Sequence, residues 1–192
     1  MTVVHFITHP EVTIDPDIPV IAWQLSPTGR RRMTAALQRP WIAMIGSVFC
    51  SSERKAADAA GILANHLGLI PVVFEALAEN DRSATGYLPK PEFEAVANQF
   101  FARPEQSIRG WERAIDAQRR IVRAVERVVA VPKGDGDIAI VSHGGVGTLL
   151  LCHLKGTPIS RAEDQPGAGG GNFFSFDTSK YRLLSGWRSI DD

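Results

Sequence analysis

The sequence predicts one α/β domain, a mostly parallel sheet held between two layers of helices, and three observations lead there. Short, almost continuously apolar runs rich in β-branched residues (VVHFIT from Val3 to Thr8, MIGSVFC from Met44 to Cys50, IAIVS from Ile138 to Ser142) read as strands covered on both faces. They alternate with longer stretches of helical period, the order expected of a sheet sandwiched between helices. Polar residues then gather where the runs stop: Thr8-His9, Ser51-Ser52, and Ser142-His143-Gly144-Gly145. In open parallel sheets, ligands bind beyond the carboxyl ends of the strands. A length of 192 residues suits a single domain, spanning 1–192.

The elements follow in order. Val3 to Thr8 is a buried strand that ends at His9-Pro10. Ser26-Pro27 is an N-cap followed by proline at the first helical position, opening a helix of about three turns that Pro40 closes. Arg30 to Arg32 lie along its wet face. The strand from Met44 to Cys50 leads through Ser51-Ser52 into an Ala-rich helix from Glu53 to His66, and a third short strand lies near Ile70 to Phe74. From Ala76 to Pro91 the periodicity stops, which predicts a loop or lid within an insertion around 76–106. Ile108, Trp111, Ile115, Val122, Val125 and Val129 predict the buried stripe of a long helix over 107–131. Gly134-Asp135-Gly136 is a turn, Ile138 to Ser142 a buried strand, and Gly144 to Leu154 a helix. GAGGGN is a flexible glycine loop, followed by two antiparallel edge strands in FFSF and YRLLSGW.

Composition narrows the function. Hydrophobic residues at 44% and charged residues at 22% are ordinary for a soluble globular chain, and 21 basic residues balance 21 acidic ones. Such a balance lacks the positive field of a nucleic-acid or membrane-surface binder, so neither partner is expected. No stretch has the apolar length of a membrane span, and the start of the chain has no signal-peptide pattern. Cys50 and Cys152 each close an apolar run and read as buried thiols of a reducing compartment, so the expected location is cytoplasmic. No histidines or cysteines fall at ligand spacing, and neither a phosphate-binding P-loop, a dinucleotide fingerprint nor a serine-hydrolase elbow is present. Neither a metal nor a cofactor is expected. The sequence leaves the oligomeric state open.

What remains is a pair of strand-end histidines, His9 and His143, far apart in sequence and adjacent if their strands are neighbours. A cation from Arg54 or Lys55 at a helix start, with free backbone N–H groups there and at Gly144, would make this edge an anion site, for which phosphate is the natural ligand.

The order FITHPE, LSPTG, CSSERKAADAA, FEALAEND, IVSHGGVG, from about Val3 to Cys152, resembles the histidine phosphatase superfamily with its phosphoglycerate mutase-like fold. That resemblance implies a small phosphorylated substrate and a metal-independent phosphomonoesterase of histidine acid phosphatase type. In it His9 is the nucleophile that becomes a phosphohistidine, and His143 is the second histidine that holds the phosphate. Glu79, or else Glu75, is the acid that protonates the leaving oxygen. Such an acid works best buried beside the ester. Thr8, Arg54, Lys55 and Gly144 border the phosphate. Arg82 and Tyr87, with Arg103, lie in the segment that would read the rest of the substrate.

The chain departs from the family pattern at informative places. Thr8 stands where the family has arginine, Pro10 where it has glycine, Lys55 where it has a second arginine, and Asp15 where it has asparagine, while Glu11 is kept. A guanidinium grips two phosphate oxygens at once, so replacing two of them weakens the grip unless Arg54, Lys55 or Arg82 substitutes. Three readings therefore follow from the resemblance: a phosphatase, a phosphomutase, and a phospholigand-binding protein that kept the fold with weakened catalysis.

Overall fold

A computed structural model describes residues 2–131 and 134–192. Six strands form one sheet: β1 (Val3–Thr8), β2 (Ile45–Cys50), β3 (Val72–Val73), β4 (Asp137–Ser142), β5 (Asn172–Asp177) and β6 (Leu183–Ser189). Their spatial order is β3-β2-β4-β1-β5-β6. The first four are mutually parallel, and β5 and β6 add as an antiparallel hairpin on the far side of β1. Among the described residues, five α-helices flank it: α1 (Pro27–Ala36), α2 (Arg54–Leu67), α3 (Lys90–Ala102), α4 (Ala114–Ala130) and α5 (Gly144–Lys155).

Alternation along the strands builds two cores. Ile7, Val48, Cys50, Ala139 and Val141 face α1 and α2, whereas Val4, Phe6, Phe49, Ile138 and Ile140 face α4 and α5. In the second core Phe6 stacks on Phe174 with ring centroids 5.1 Å apart. Each such buried ring stabilises the fold by about 1.5–3 kcal/mol. Helix α2 turns Ala56, Ala59, Ala60 and Ala64 to the sheet, and these small side chains let it lie close. Helix α1 begins as expected, with the Ser26 hydroxyl accepting from the Gly29 N–H at 3.0 Å and Pro27 in the first turn. Both cysteines are buried free thiols.

Five expectations change. The insertion is not all loop: Phe93, Val96, Ala97, Phe100 and Phe101 make α3 amphipathic, and it packs with Ile108, Trp111 and Leu149 into a third apolar cluster. The helix expected over 107–131 begins only at Ala114, because Arg109 (φ 53°) and Gly110 (φ 82°) break the backbone before it. Its buried face is Ala117, Ile121, Ala124, Val125 and Val128, so the bulky stripe of Ile115, Val122 and Val129 stands to one side of the true contact line. The segment before β5 is laced down, with the Gly171 N–H donating to the His9 carbonyl (3.1 Å) and Arg32 donating to the carbonyls of Gly169 and Gly170 (3.0 Å each). Finally β5, expected at an edge, lies between β1 and β6 and is buried throughout. The third strand is only the two exposed residues of β3.

Candidate active site

Strands β1 and β4 are direct neighbours, paired through Thr8 and Ser142, so the residues that follow them emerge side by side. The His9 N–H donates to the Ser142 carbonyl at 3.1 Å. The two imidazoles meet edge to face with centroids 5.2 Å apart. Ser51, after β2, is tied to the same edge by its N–H on the Val141 carbonyl (3.0 Å). Topology thus collects the ends of three parallel strands into one site.

The two rings are held in different ways. His9 Nδ1 lies 2.8 Å from the Pro10 carbonyl, and a carbonyl only accepts, so Nδ1 carries the proton and Nε2 keeps its lone pair. Burial, reinforced by the neighbouring His143, pushes the His9 pKa down to about 3, so the ring is neutral at physiological pH. His143 is fully enclosed, and burial lowers its pKa too, against the pull of Glu53 and Glu79. Its Nε2 lies 2.8 Å from the Ser51 hydroxyl and 3.4 Å from Glu53 Oε1, while its Nδ1 is buried with no partner among the described residues. An unpaired buried ring nitrogen is costly, and a bound ligand is the partner that would satisfy it.

Helix α2 carries both predicted cations and separates them. Lys55 shares a stripe with buried Ala59 and Leu63 and points inward, where its ammonium donates to the Val20 carbonyl (2.9 Å) and to the Glu53 carboxylate. Arg54 points out and donates to Asp58 at 2.9 Å. Of the two, the structure brings only Lys55 to the site.

Glu79 is brought there as well. Its carboxylate accepts from the Gly145 N–H (3.0 Å) and the Val146 N–H (2.9 Å), capping α5. The approach is so close that a Cβ on Gly145 would lie 2.7 Å from Glu79 Oε1. Gly144, the first residue of α5, borders a cleft of about 500 Å³ together with His9, Glu79, Thr148, Arg161 and Gln165, roofed by Phe93 and Phe101 of α3. Glu75 is exposed and outside that cleft.

The other predicted residues lie farther off. The Thr8 hydroxyl is occupied, donating to Gln165 Oε1 (2.7 Å) and accepting from the Asn172 N–H (3.0 Å). The Arg82 guanidinium rides over the rings of Phe93 (5.1 Å) and Trp111 (5.6 Å) and lines a second cleft of about 650 Å³ with Asn80, Glu53 and Glu79. From there its charge still reaches His143. Tyr87 packs on Trp23 with centroids 5.6 Å apart, and Arg103 is exposed past the end of α3, so neither borders the cleft. Asp15 accepts from the Asp17 N–H, and Glu11 accepts from the Ser26 hydroxyl at 2.6 Å.

Three contributors were not foreseen. Glu53 touches His143 and Lys55 and accepts from the Glu79 N–H at 2.9 Å. Burial alone would raise its carboxyl pKa, but the neighbouring His143 and Lys55 outweigh that and hold it down to about 2. Arg120 on α4 pairs with Glu112 and donates to the carbonyls of Ala76, Ala78 and Glu79, fixing the segment that presents the Glu79 carboxylate. Gln165 links Thr8 to Asn172 at the wall of the cleft. Among the described residues no three His, Cys, Asp or Glu side chains cluster as a metal site would require, and no helix is long and apolar enough to cross a membrane.

Comparison with known proteins finds solved structures of the same fold. The mycobacterial glucosyl-3-phosphoglycerate phosphatase solved with inorganic phosphate superimposes with a TM-score of 0.76 at 20% identity, over 100% of both chains. The phosphoserine phosphatase of Entamoeba histolytica, solved with 3-phosphoglyceric acid, gives 0.75 at 15% identity over 98% of each chain. A putative α-ribazole-5'-phosphate phosphatase from Escherichia coli gives 0.68 at 16% identity, over 100% of this chain and 96% of the other. A search of curated protein sequences gave no match. The family model described as histidine phosphatase superfamily (branch 1) matches residues 14–183, a span that holds Lys55, Glu79 and His143 and begins after His9. On that match, over most of its length, the chain belongs to the histidine phosphatase superfamily, branch 1.

Proposed function

We propose that the protein hydrolyses a small phosphomonoester through a phosphohistidine at His9, without a metal. The observation that carries this reading is the pair of adjacent neutral histidines, one fully buried and the other at the cleft with its Nδ1 proton pinned to a carbonyl and its Nε2 lone pair available. The Nε2 lone pair of His9 forms the N–P bond as the bond from phosphorus to the leaving oxygen breaks, and that oxygen takes a proton from Glu79. Water then attacks phosphorus, gives a proton back to Glu79, and releases phosphate and free His9. The Nδ1–H on Pro10 stabilises the positive ring of the intermediate.

The phosphate lies against His143, Lys55 and the α5 N-terminus at Gly144. It competes there with the Glu79 carboxylate for the backbone N–H groups that Glu79 now holds, which releases that carboxyl to face the leaving oxygen. Arg82 acts on the substrate side, and Arg54 and Thr8 take no direct part.

A second reading, a phospholigand-binding protein without turnover, is favoured by one observation: the Lys55 ammonium is already engaged by Glu53 and the Val20 carbonyl. Phosphate release across a panel of phosphomonoesters with chelator present decides. The expected result is turnover in the wild type, an acid-labile phosphoryl label, loss of both in His9→Ala, and a fall of about 10²–10⁴ in Glu79→Gln. Phosphate binding without release or label would leave the binding reading standing.

A further inference from the structure

A dianion needs positive charge, and this site has little to spare. Thr8 contributes a hydroxyl that is already engaged, and the Lys55 ammonium is neutralised by its contact with Glu53. The charged groups facing His143 are Glu53 and Lys55 from α2, Glu79 and Arg82 from the segment before α3, and the neutral His9 from the end of β1. Their formal charges cancel, two carboxylates against one ammonium and one guanidinium.

The arrangement around His143 offers the missing charge. Its Nε2 sits against Ser51 and Glu53, and because the Ser51 oxygen also accepts from the Glu53 N–H (3.1 Å), the serine and carboxylate oxygens together form an acceptor surface for an Nε2–H. With the proton at Nε2, Nδ1 is a bare lone pair, buried and unpartnered among the described residues. A bare nitrogen repels an anion's oxygen, whereas a protonated one donates to it. Protonation at Nδ1 makes an imidazolium with a carboxylate on one nitrogen and an anion on the other, the setting in which charge-assisted hydrogen bonds are strongest.

We propose that phosphate, or any similar dianion, enters this site together with a proton bound at Nδ1 of His143, and that Glu53 is the positioning residue that supports the charged ring. The proton comes from solvent and returns there when the anion leaves. This rests on the reaction proposed above, since it concerns the same phosphate position. Glu53 also aligns Lys55 and the backbone of Glu79, so one buried carboxylate sets the second histidine, the lysine and the acid-bearing segment.

Sulfate is the discriminating probe, because it remains a dianion from pH 6 to 8 and any proton taken up belongs to the protein. Calorimetry in buffers of different ionisation enthalpy is expected to show close to one proton taken up per sulfate. Affinity should fall about tenfold per pH unit over that range, the linkage slope of one proton. In Glu53→Gln the slope should drop below about threefold per unit. Nitrogen-15 spectra of labelled wild type should place the new proton on His143, and this readout decides even if the variant fails to fold. Sulfate or phosphate binding with no proton uptake, or with the proton on His9, would overturn the inference and leave the phosphohistidine reading intact. Absence of binding by sulfate and inorganic phosphate at every pH would overturn both.

Discussion

Gly170 is the point where the loop before β5 presses hardest on the active site, and replacing it should be disproportionately costly. It adopts φ 61°, and a Cβ built on it would lie 2.2 Å from the His9 carbonyl oxygen. Two penalties add in Gly170→Ala. The left-handed backbone costs an L-residue about 1–2 kcal/mol. Relieving the overlap requires the backbone of His9 or of the loop to shift, which costs about 1–3 kcal/mol by comparison with overpacked cores. The sum is about 2–5 kcal/mol, or roughly 4–20 °C in Tm for a domain of this size. Gly167→Ala is the internal control: its φ is 74°, but nothing lies within 4 Å of its Cβ, so only the first penalty applies. Urea unfolding monitored by Trp fluorescence gives both numbers, and phosphate release should drop in Gly170→Ala because the displaced carbonyl belongs to His9, the proposed nucleophile. Equal destabilisation by the two substitutions would refute the close contact and, with it, the view that the loop braces His9.

Two further outcomes follow from buried ionisable groups. Because the His9 pKa is about 3 when folded and about 6.5 when unfolded, the unfolded chain binds the extra proton between these values and stability falls as pH drops, with His9 contributing about 1.4 kcal/mol per unit to the slope. Glu53, with its carboxyl held down to about 2 against an ordinary 4.5, adds to the loss below pH 4.5. Denaturant melts of wild type and His9→Ala from pH 7 to 5 test this, and an unchanged slope would show that His9 is not held neutral. Burial pushes the Cys50 thiol up to about 11, so iodoacetamide at pH 8 should leave Cys50 unmodified in the native protein and alkylate it in urea, as read by mass spectrometry.

Much of the architecture was legible because it depends on local composition. The runs that became β1, β2 and β4 are apolar at nearly every position, a requirement of sheets covered on both faces, and the Ser26-Pro27 pair marks the start of α1 by its own chemistry. The histidines were legible because they stand at strand ends. Helix α3 was obscured by the prolines at its start, Pro89 at the N-cap and Pro91 in the first turn, although its spacing of Phe93, Val96, Ala97, Phe100 and Phe101 was present all along. The orientation of Lys55 was also available, since positions 55, 59 and 63 fall on one stripe, from which Arg54 is turned away by about 100°. Glu53 was not: a single acid at a helix start ordinarily reads as solvated, and its burial depends on His143, ninety residues away. The Thr8–Gln165 hydrogen bond likewise joins residues 157 positions apart and leaves no local trace.

The central position of β1 has a consequence for how the molecule is made. Its partners lie far along the chain, Val4 opposite Ile138 on one side and Val3 opposite Asp177 on the other. Contacts of such sequence separation form slowly, because closing a long loop is opposed by entropy until the contacts are complete. During synthesis the apolar VVHFIT segment must therefore wait for β4 and then for the closing hairpin, with its edges open to other chains. The two strand-end histidines come together only when β1 pairs with β4, so the candidate site cannot exist before that long-range contact has formed.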